Sequence, residues 1–180
     1  MRFWASDLLR FWFDTLGPSD WFGSSTSVDD ELRRRYGGLL LALANRSPEE
    51  FLTGQRTARA AILLFDQVPR NLFRDDARAF AHDALARAIC HGMLARGWDR
   101  PLSLHEKQFV LMPLMHSEYI ADQRLSLRRF VALGDSFVFG FARDHYRMIA
   151  RFGRFPHRNA VLGRTSTAAE RRAIEAGNVW

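Results

Sequence analysis

The stretch SDLLRFWFDTLGP, residues 6–18, carries the signals that decide the fold. A serine and an aspartate open it, and large apolar residues then recur at the three- and four-residue spacing of one helix face. The pair Gly17-Pro18 closes it, because a proline after a glycine does not continue a helix. The stretch therefore predicts an amphipathic helix that begins near Ser6 and ends before Gly17.

Comparable helix signals recur along the chain. Four hydroxyl residues stand three positions before a carboxylate, which is the spacing of a capping box, where each side chain accepts from the other's backbone N–H. These boxes are Ser27 with Asp30, Ser47 with Glu50, Ser103 with Glu106 and Thr167 with Glu170. Pro48 directly after Ser47 occupies a first helical position, where its missing N–H has no cost.

Strand signals are weak by comparison. No run alternates with period two for long, and no Asn-Gly or Asp-Gly turn joins two β-rich segments. The apolar run FVFGF at 137–141 continues into residues with helical spacing, so we interpret it as helix and expect Ser136 to open it. The sequence predicts a single all-α domain over residues 1–180, with about eight helices of 8 to 18 residues in stacked antiparallel pairs.

Composition narrows the classes of function. The net charge of +6 suggests nucleic acid, but Lys107 is the single lysine among 26 basic residues and acidic residues are interspersed, so a nucleic-acid partner is not favoured. No apolar run approaches the length of a membrane span, and the first residues lack the features of a secretory signal. With Cys90 as the one cysteine, these features predict a cytoplasmic protein without a membrane partner.

The first polar cluster lies in AILLFDQVPRNLFR, residues 61–74. Asp66 follows four large apolar residues, so we expect an at least partly buried carboxylate that needs a partner, and Arg70, or an arginine from elsewhere in the chain, is the natural one. Pro69 predicts a break in the helix, with Val68 pushed out of the helical region. A helix-ending salt bridge is the simpler interpretation of this cluster, and a ligand site that includes Gln67 and Asn71 is the other.

The second polar cluster lies in LMPLMHSEYIADQ, residues 111–123. Pro113 predicts a kink or a restart of the helix, and at helical spacing Glu118 and Asp122 would share a face. His116 suits a general base oriented by a carboxylate, and it suits a buried structural histidine equally well. A histidine and a carboxylate two residues apart do not match helical metal spacings, so no metal is predicted.

The third polar cluster is RFGRFPHRNAVLGR, residues 151–164. Gly153 and Pro156 predict a turn there, which would direct several side chains to one place. Guanidinium, imidazole and amide groups together form a cradle for a carboxylate or a phosphate. Alternatively, these arginines pair with Asp66, Glu118, Asp122 and similar carboxylates inside the protein and lock helices together. Asp144-His145, in an amphipathic helix, is assigned to packing or to the surface.

In this order, the clusters resemble the signature of a mainly bacterial family, domain-of-unknown-function family 924. The matching segments are Phe11-Trp12, Trp21-Phe22, DQVPRNLFR at 66–74, ARAFAHD at 77–83, PLMHSE at 113–118 with Gln123, RFGRFPHRNAVLGRTSTAAE at 151–170, and Trp180. Val68 stands where a bulkier apolar residue is expected. The resemblance implies a tetratricopeptide-repeat-like α-α superhelix with a groove suited to peptides or ligands, and it implies no particular activity.

Three hypotheses of function follow. The first is a helical binding module for a small anionic molecule or an acidic peptide, with these ligand-binding candidates: Gln67, Arg70, Asn71, His116, Gln123, Arg151, Arg154, His157, Arg158 and Asn159. The second is an enzyme with His116 or His157 as general base, Glu118 or Asp66 as orienting carboxylate, and arginines that stabilise negative charge. The third is a structural or interaction protein with an internal ion-pair network. No cofactor is predicted, and the sequence makes no prediction about oligomeric state.

Overall fold

The structure is a computed structural model that describes residues 3–23 and 25–177, and every regular element in these ranges is helical. The chain forms two compact units, residues 1–113 and residues 114–180. The match at Trp180 lies outside the described residues. None of the helices in the described ranges has both the length and the apolar character that a membrane span requires.

The first unit contains most of the helices. They are α1 (Phe3–Arg10), α2 (Pro18–Phe22), α3 (Thr26–Leu43), α4 (Gln55–Ile62), α5 (Val68–Leu72), α6 (Asp83–Ala95) and α7 (Leu104–Met115), whose last two residues belong to the second unit. The second unit continues with α8 (Ile120–Val131), α9 (Ser136–Phe152) and α10 (Ala168–Glu175). Across the described ranges, eight α-helices have 8 to 18 residues, which confirms the predicted number and lengths.

The helices pack in pairs within each unit. In the first unit α4 packs against α1 and α6, and α3 packs against α5. In the second unit α8 packs against α9, to which residues 132–135 connect it. The all-α architecture of packed helix pairs is confirmed, and it is consistent with a tetratricopeptide-repeat-like description. A single domain over residues 1–180 stays a prediction.

The start of the first helix differs from the prediction. The chain is already helical at Phe3, three residues before Ser6, and a wider π-turn at Phe11–Thr15 extends the helix. The chain leaves the helix at Leu16, where the backbone is extended, as the Gly17-Pro18 pair predicted.

The capping boxes at α7 and α10 are confirmed. Thr167 Oγ1 accepts from the Glu170 N–H at 3.2 Å, and the Glu170 carboxylate accepts from the Thr167 N–H at 2.7 Å. Ser103 and Glu106 exchange the same pair of hydrogen bonds at 3.4 and 2.9 Å. These two side-chain pairs satisfy backbone donors that a helix start would otherwise leave open.

The remaining helix starts are shifted or shorter than expected. The Ser27 box is wrong, because Ser25 caps α3 by accepting from the Val28 N–H, and Ser27 already lies inside the helix. Ser47 opens only the 3-10 turn Pro48–Glu50, where its N–H donates to Glu50 at 3.1 Å. Asp135, rather than Ser136, caps α9, which includes residues 137–141 as predicted.

The expected break at Pro69 does not occur. Val68 has helical torsions (φ −55°, ψ −45°), and the chain remains helical from α4 through a π-turn at Leu63–Gln67 into α5. In that wider turn the Val68 N–H donates to the Leu63 carbonyl, five residues back. A π-turn relieves the contact between a proline ring and the preceding turn, so the helix accommodates Pro69 without ending.

The core of the first unit lies along this continuous helical segment. Residues 60–65 of α4 and the π-turn are essentially inaccessible to solvent, as are Leu8 and Trp12 of α1 and Ile89 of α6. The core of the second unit includes Met148 and Ile149 of α9 and Phe155 of the turn that follows. Each unit therefore places its polar clusters against a buried apolar layer.

Candidate functional site

In the first unit, Asp66, the carboxylate of the first polar cluster, is completely buried. Arg70 reaches it with an Nη1 to Oδ1 distance of 3.4 Å, and also pairs with Asp83 at 3.0 Å. Burial lowers the pKa of Arg70, and the charges of Asp66 and Asp83 raise it by more, so Arg70 stays protonated. The predicted burial of Asp66 and its pairing with Arg70 are confirmed, but the pair lies inside a continuing helix rather than at a helix end.

The two amides of this cluster bond locally. Gln67 Nε2 donates to Asp66 Oδ2 at 2.5 Å and contacts the Met112 sulfur at 3.2 Å. Asn71 Nδ2 donates to the Gln67 carbonyl at 3.1 Å, and its Oδ1 accepts from Arg74 at 3.2 Å. Arg74 in turn forms a bidentate pair with Asp29 at 2.7 and 2.9 Å. The hydrogen bonds of Gln67 and Asn71 therefore hold the α4–α5 segment.

In the second unit, the side chain of Gln123, which lies in α8, caps the C-terminal end of helix α7. This side chain is fully buried, and its Nε2 lies 2.6 Å from the Met115 carbonyl and 2.7 Å from the Ser117 carbonyl. The Met115 carbonyl belongs to the last turn of α7, and the Ser117 carbonyl follows it. The carbonyls at the end of a helix have no backbone N–H donor within that helix. These hydrogen bonds give Gln123, the last residue of the second cluster, a structural role.

The connection between α7 and α8 is not helical, which changes the expected geometry of the second cluster. Helix α7 continues two residues past Pro113, and α8 begins only at Ile120. Glu118 and Asp122 therefore do not share a helix face. Asp122 accepts from the Ser117 hydroxyl at 2.7 Å, inside the first turn of α8.

Glu118 joins the second and third clusters. Its carboxylate accepts from the Phe155 N–H at 2.8 Å and from both Nη atoms of Arg164 at 2.9 and 3.1 Å. Burial raises the pKa of Glu118, but the Arg164 and Phe155 hydrogen bonds and the charges of Arg164 and Arg158 lower it by more. Glu118 is therefore an ionised carboxylate that positions the turn after α9.

Arg154 is the second arginine of this turn with an internal partner. It forms a bidentate pair with Glu170 at 2.6 and 3.0 Å and donates to the Thr165 carbonyl at 3.0 Å. The hydrogen bonds from Arg154 and from the Thr167 N–H lower the pKa of Glu170 to about 2. Arg154 thus fixes the loop between α9 and α10, in agreement with the internal-pairing hypothesis.

The turn itself follows the prediction. Gly153 adopts a left-handed conformation (φ 71°) and ends α9, with its N–H donating to the Ile149 carbonyl at 2.9 Å. A 3-10 turn at Pro156–Arg158 follows. Asn159 is fully buried behind it, and its Nδ2 lies 3.0 Å from the Ser166 hydroxyl. Arg151 is exposed on α9, with its guanidinium 4.9 Å from the Phe152 ring centroid.

Two imidazoles and one guanidinium contact the buried Phe155 ring, and a third imidazole lies next to one of them. The His145 and His157 rings lie 5.4 and 5.6 Å from it between centroids, and the Arg158 guanidinium lies 4.5 Å from its centroid. The His116 ring lies 6.0 Å from that of His145. The third cluster and the second one therefore meet here. We call His116, His145, His157 and Arg158 the imidazole–arginine cluster.

Electrostatics distinguish His145 within this cluster. Burial, followed by the charges of His116, Arg158 and His157, lowers the pKa of His145 to about 3 despite its hydrogen bond to the Phe141 carbonyl at 2.8 Å. Because that carbonyl accepts, the Nδ1 atom carries the proton and Nε2 is the basic nitrogen. The depressed pKa means that His145 is neutral at neutral pH, chiefly because it is buried.

Sequence reasoning assigned His145 to packing or the surface and left it out of the candidate site. It is buried as a packing residue would be, on the α9 face that also carries Val138, Ala142 and Ile149. The sequence signal that could have indicated a buried histidine is the position of His145 at helical spacing from these apolar residues. Within the described ranges, no group of three or more His, Cys, Asp or Glu side chains is placed to hold a metal ion.

Comparison with known proteins agrees with this architecture. Residues 8–178 match the family described as "Bacterial protein of unknown function (DUF924)". The solved structure of a protein of unknown function, ATU0120, from Agrobacterium tumefaciens is similar over 96% of this chain and 97% of that one, with 35% identity and a TM-score of 0.90. No curated protein matches the chain.

Proposed function

This chain belongs to the bacterial family of unknown function DUF924, and we propose that it is a helical binding module for a small anion, a carboxylate or a phosphate. The imidazole–arginine cluster in the second unit is the proposed site. The observation that carries the proposal is the group of His145, His157 and Arg158 on the buried Phe155 ring, with His116 beside His145. A cytoplasmic location belongs to the same proposal.

Positive charge is costly at this buried position, and the carboxylate of Glu118, whose pKa the charge of Arg158 lowers, supplies negative charge near it. Arg158 and His145 are both more than nine-tenths buried, and moving positive charge away from water is unfavourable. An anion in contact with these groups would offset that cost, because opposite charges attract strongly where water is excluded. His116 and His157 are half-buried, so they mark the side from which a ligand would enter.

Two features favour carboxylate or phosphate over other anions. The guanidinium of Arg158 offers paired N–H donors that match two oxygens of one group. An imidazole can supply a further N–H, and an adjacent anion raises the pKa of His145 so that its Nε2 also becomes a donor. Binding of the anion would therefore be coupled to the uptake of a proton.

A thermal-shift assay with inorganic phosphate, citrate and acetate, each against chloride at equal ionic strength, tests this proposal. At ten times the dissociation constant, binding should raise the melting temperature by roughly 4 °C. Arg158→Lys should reduce the shift by more than half, because lysine lacks the paired donors. Arg172→Lys on the exposed surface of α10 is the matched control and should leave the shift unchanged. No shift with any anion would overturn the proposal.

An internal ion-pair network is the second candidate function, and the bidentate pairs Arg154–Glu170 and Arg164–Glu118 favour it. If the network is the whole function, Arg158→Ala should cost about 3–5 kcal/mol, as for one member of a buried pair, and no anion should stabilise the wild type. Arg154→Ala separates the two roles, because it should lower stability while the phosphate-induced shift persists.

The enzyme hypothesis keeps His116 or His157 as general base. Its orienting carboxylate in this unit, Glu118, hydrogen-bonds to Arg164 and to the Phe155 N–H. These contacts of Glu118 support the binding module over the enzyme.

A further inference from the structure

Helices α8 and α9 each carry arginines on the side away from their own buried residues. On α9, Arg143, Arg147 and Arg151 follow one another at four-residue spacing and are all exposed. On α8, Arg124 and Arg128 have the same spacing and are also exposed. The residues of these helices that face the core, such as Ser126 and His145, lie on the opposite sides. We call these five arginines the hairpin arginines.

Little negative charge lies among the hairpin arginines. Asp144 is 3.2 Å from Arg143 and 3.1 Å from Arg147, so a single carboxylate serves two guanidiniums that remain about half exposed. Arg124 and Arg128 form no ion pair with any residue in 3–23 or 25–177. The face therefore keeps a clear excess of positive charge.

An exposed apolar group lies at one end of the same helix pair. Val131 ends α8, Phe137 lies in the first turn of α9, and Phe141 follows one turn later. Their exposed fractions are 58%, 66% and 38%. The rings of Phe137 and Phe141 pack edge to face with centroids 5.1 Å apart. Phe137 and Phe141 thus form a pair of large exposed apolar side chains in contact, and exposed apolar groups of this kind mark interaction sites.

We propose that this face binds an acidic amphipathic helix of a partner protein. Residues four apart on a helix are about 6 Å apart along its axis, so Glu or Asp at four-residue spacing on the partner would match the hairpin arginines. Apolar residues on the adjacent face of the partner helix would cover Val131, Phe137 and Phe141. Recognition of a helix through a few apolar anchors and flanking charges is a common binding mode.

A single-stranded nucleic acid is the alternative ligand with negative charge. It would need aromatic rings that bases can stack upon in succession. The ring planes of Phe137 and Phe141 stand at 86° to each other and do not form a common platform. The combination of arginines and exposed aliphatic and aromatic side chains therefore favours the acidic helix.

Selection from a display library of helical peptides, with the full chain as target, tests this proposal. We expect enriched peptides to carry Glu or Asp at four-residue spacing beside an apolar face, and to bind less tightly as salt rises. The strongest peptide, labelled with a fluorophore, is then compared with an oligothymidylate by fluorescence anisotropy.

Two variants and one control locate the binding. Arg147→Glu and Phe141→Ser should each weaken the selected peptide by about tenfold or more. Arg172→Glu, on exposed α10, carries the same charge change and should have little effect. Circular dichroism should show unchanged helix content in all three. The proposal fails if no acidic pattern is enriched, if Arg172→Glu weakens binding equally, or if the oligothymidylate binds more tightly than the peptide.

Discussion

At the residue scale, His145 shows how burial and nearby positive charge act on one side chain. Its pKa of about 3 lies far below the ordinary value of 6.5. As the pH falls from 6.5 toward 3, an unfolded chain binds a proton on this imidazole while the folded protein does not. The free energy of unfolding is therefore unaffected by this group above pH 6.5, and it decreases as the pH falls below that value.

Replacement of His145 by glutamine tests this sign. At pH 5 the wild type should have lost about 2 kcal/mol relative to pH 8 through His145 alone, and His145→Gln should lack that loss. A carboxylate such as Glu170 changes stability at lower pH, because its pKa falls from 4.5 to about 2 and its effect is confined to that pH range. Urea unfolding of both proteins at pH 5 and pH 8 gives the difference. An equal pH dependence in the two proteins would contradict the burial argument.

Residue types were easier to predict than their partners. The buried Asp66 followed from the apolar residues before it, and the nearness of Arg70 in sequence gave its partner. The partners of Arg154 and Arg164, in contrast, lie 16 and 46 residues away in the chain. Charge alone does not choose among several distant carboxylates, so the sequence left internal pairing and ligand binding open.

At the element scale, Gln123 connects two helices through one side chain. Gln123→Ala should leave the last carbonyls of α7 without their donor and cost about 2 kcal/mol. Arg124→Ala, one residue later and exposed, is the matched control and should cost little. Urea unfolding compares the two variants, and a loss as small as that of the control would show that Gln123 does not hold α7.

Helix existence was predictable from spacing, and helix boundaries were not. The hydroxyl at Ser25 and that at Ser27 are chemically equal caps, and the structure uses the one at Ser25. At Pro69 the usual rule for the preceding residue fails, because a π-turn provides the space that an α-helical turn lacks. Local rules of this kind do not include the packing around a segment.

At the scale of the whole molecule, the buried Asp66 carries a prediction about global stability. Asp66→Ala leaves Arg70 without one of its two carboxylates inside the first unit and should cost about 3–5 kcal/mol. Asp30→Ala, on the exposed surface of α3, is the control and should change stability little. Differential scanning calorimetry of both variants measures the effect. A loss in Asp66→Ala no larger than in the control would mean that the buried pair contributes nothing net.

The fold class, the family and the helix lengths were predictable over the whole chain because helical spacing and family motifs recur throughout it. The imidazole–arginine cluster was predictable only in part, since His145 carries no motif and reaches the cluster through the packing of α9. The ligand that we propose there depends on a balance of charges in space, which spacing along a sequence does not describe.

The central claim is that an anion binds among His116, His145, His157 and Arg158. Titration of the His145 ring nitrogens by NMR, with inorganic phosphate and with chloride at equal ionic strength, measures this directly. If phosphate binds there, the pKa of His145 should rise from about 3 by about one unit or more in phosphate alone. An unchanged His145 titration under saturating phosphate would contradict the claim.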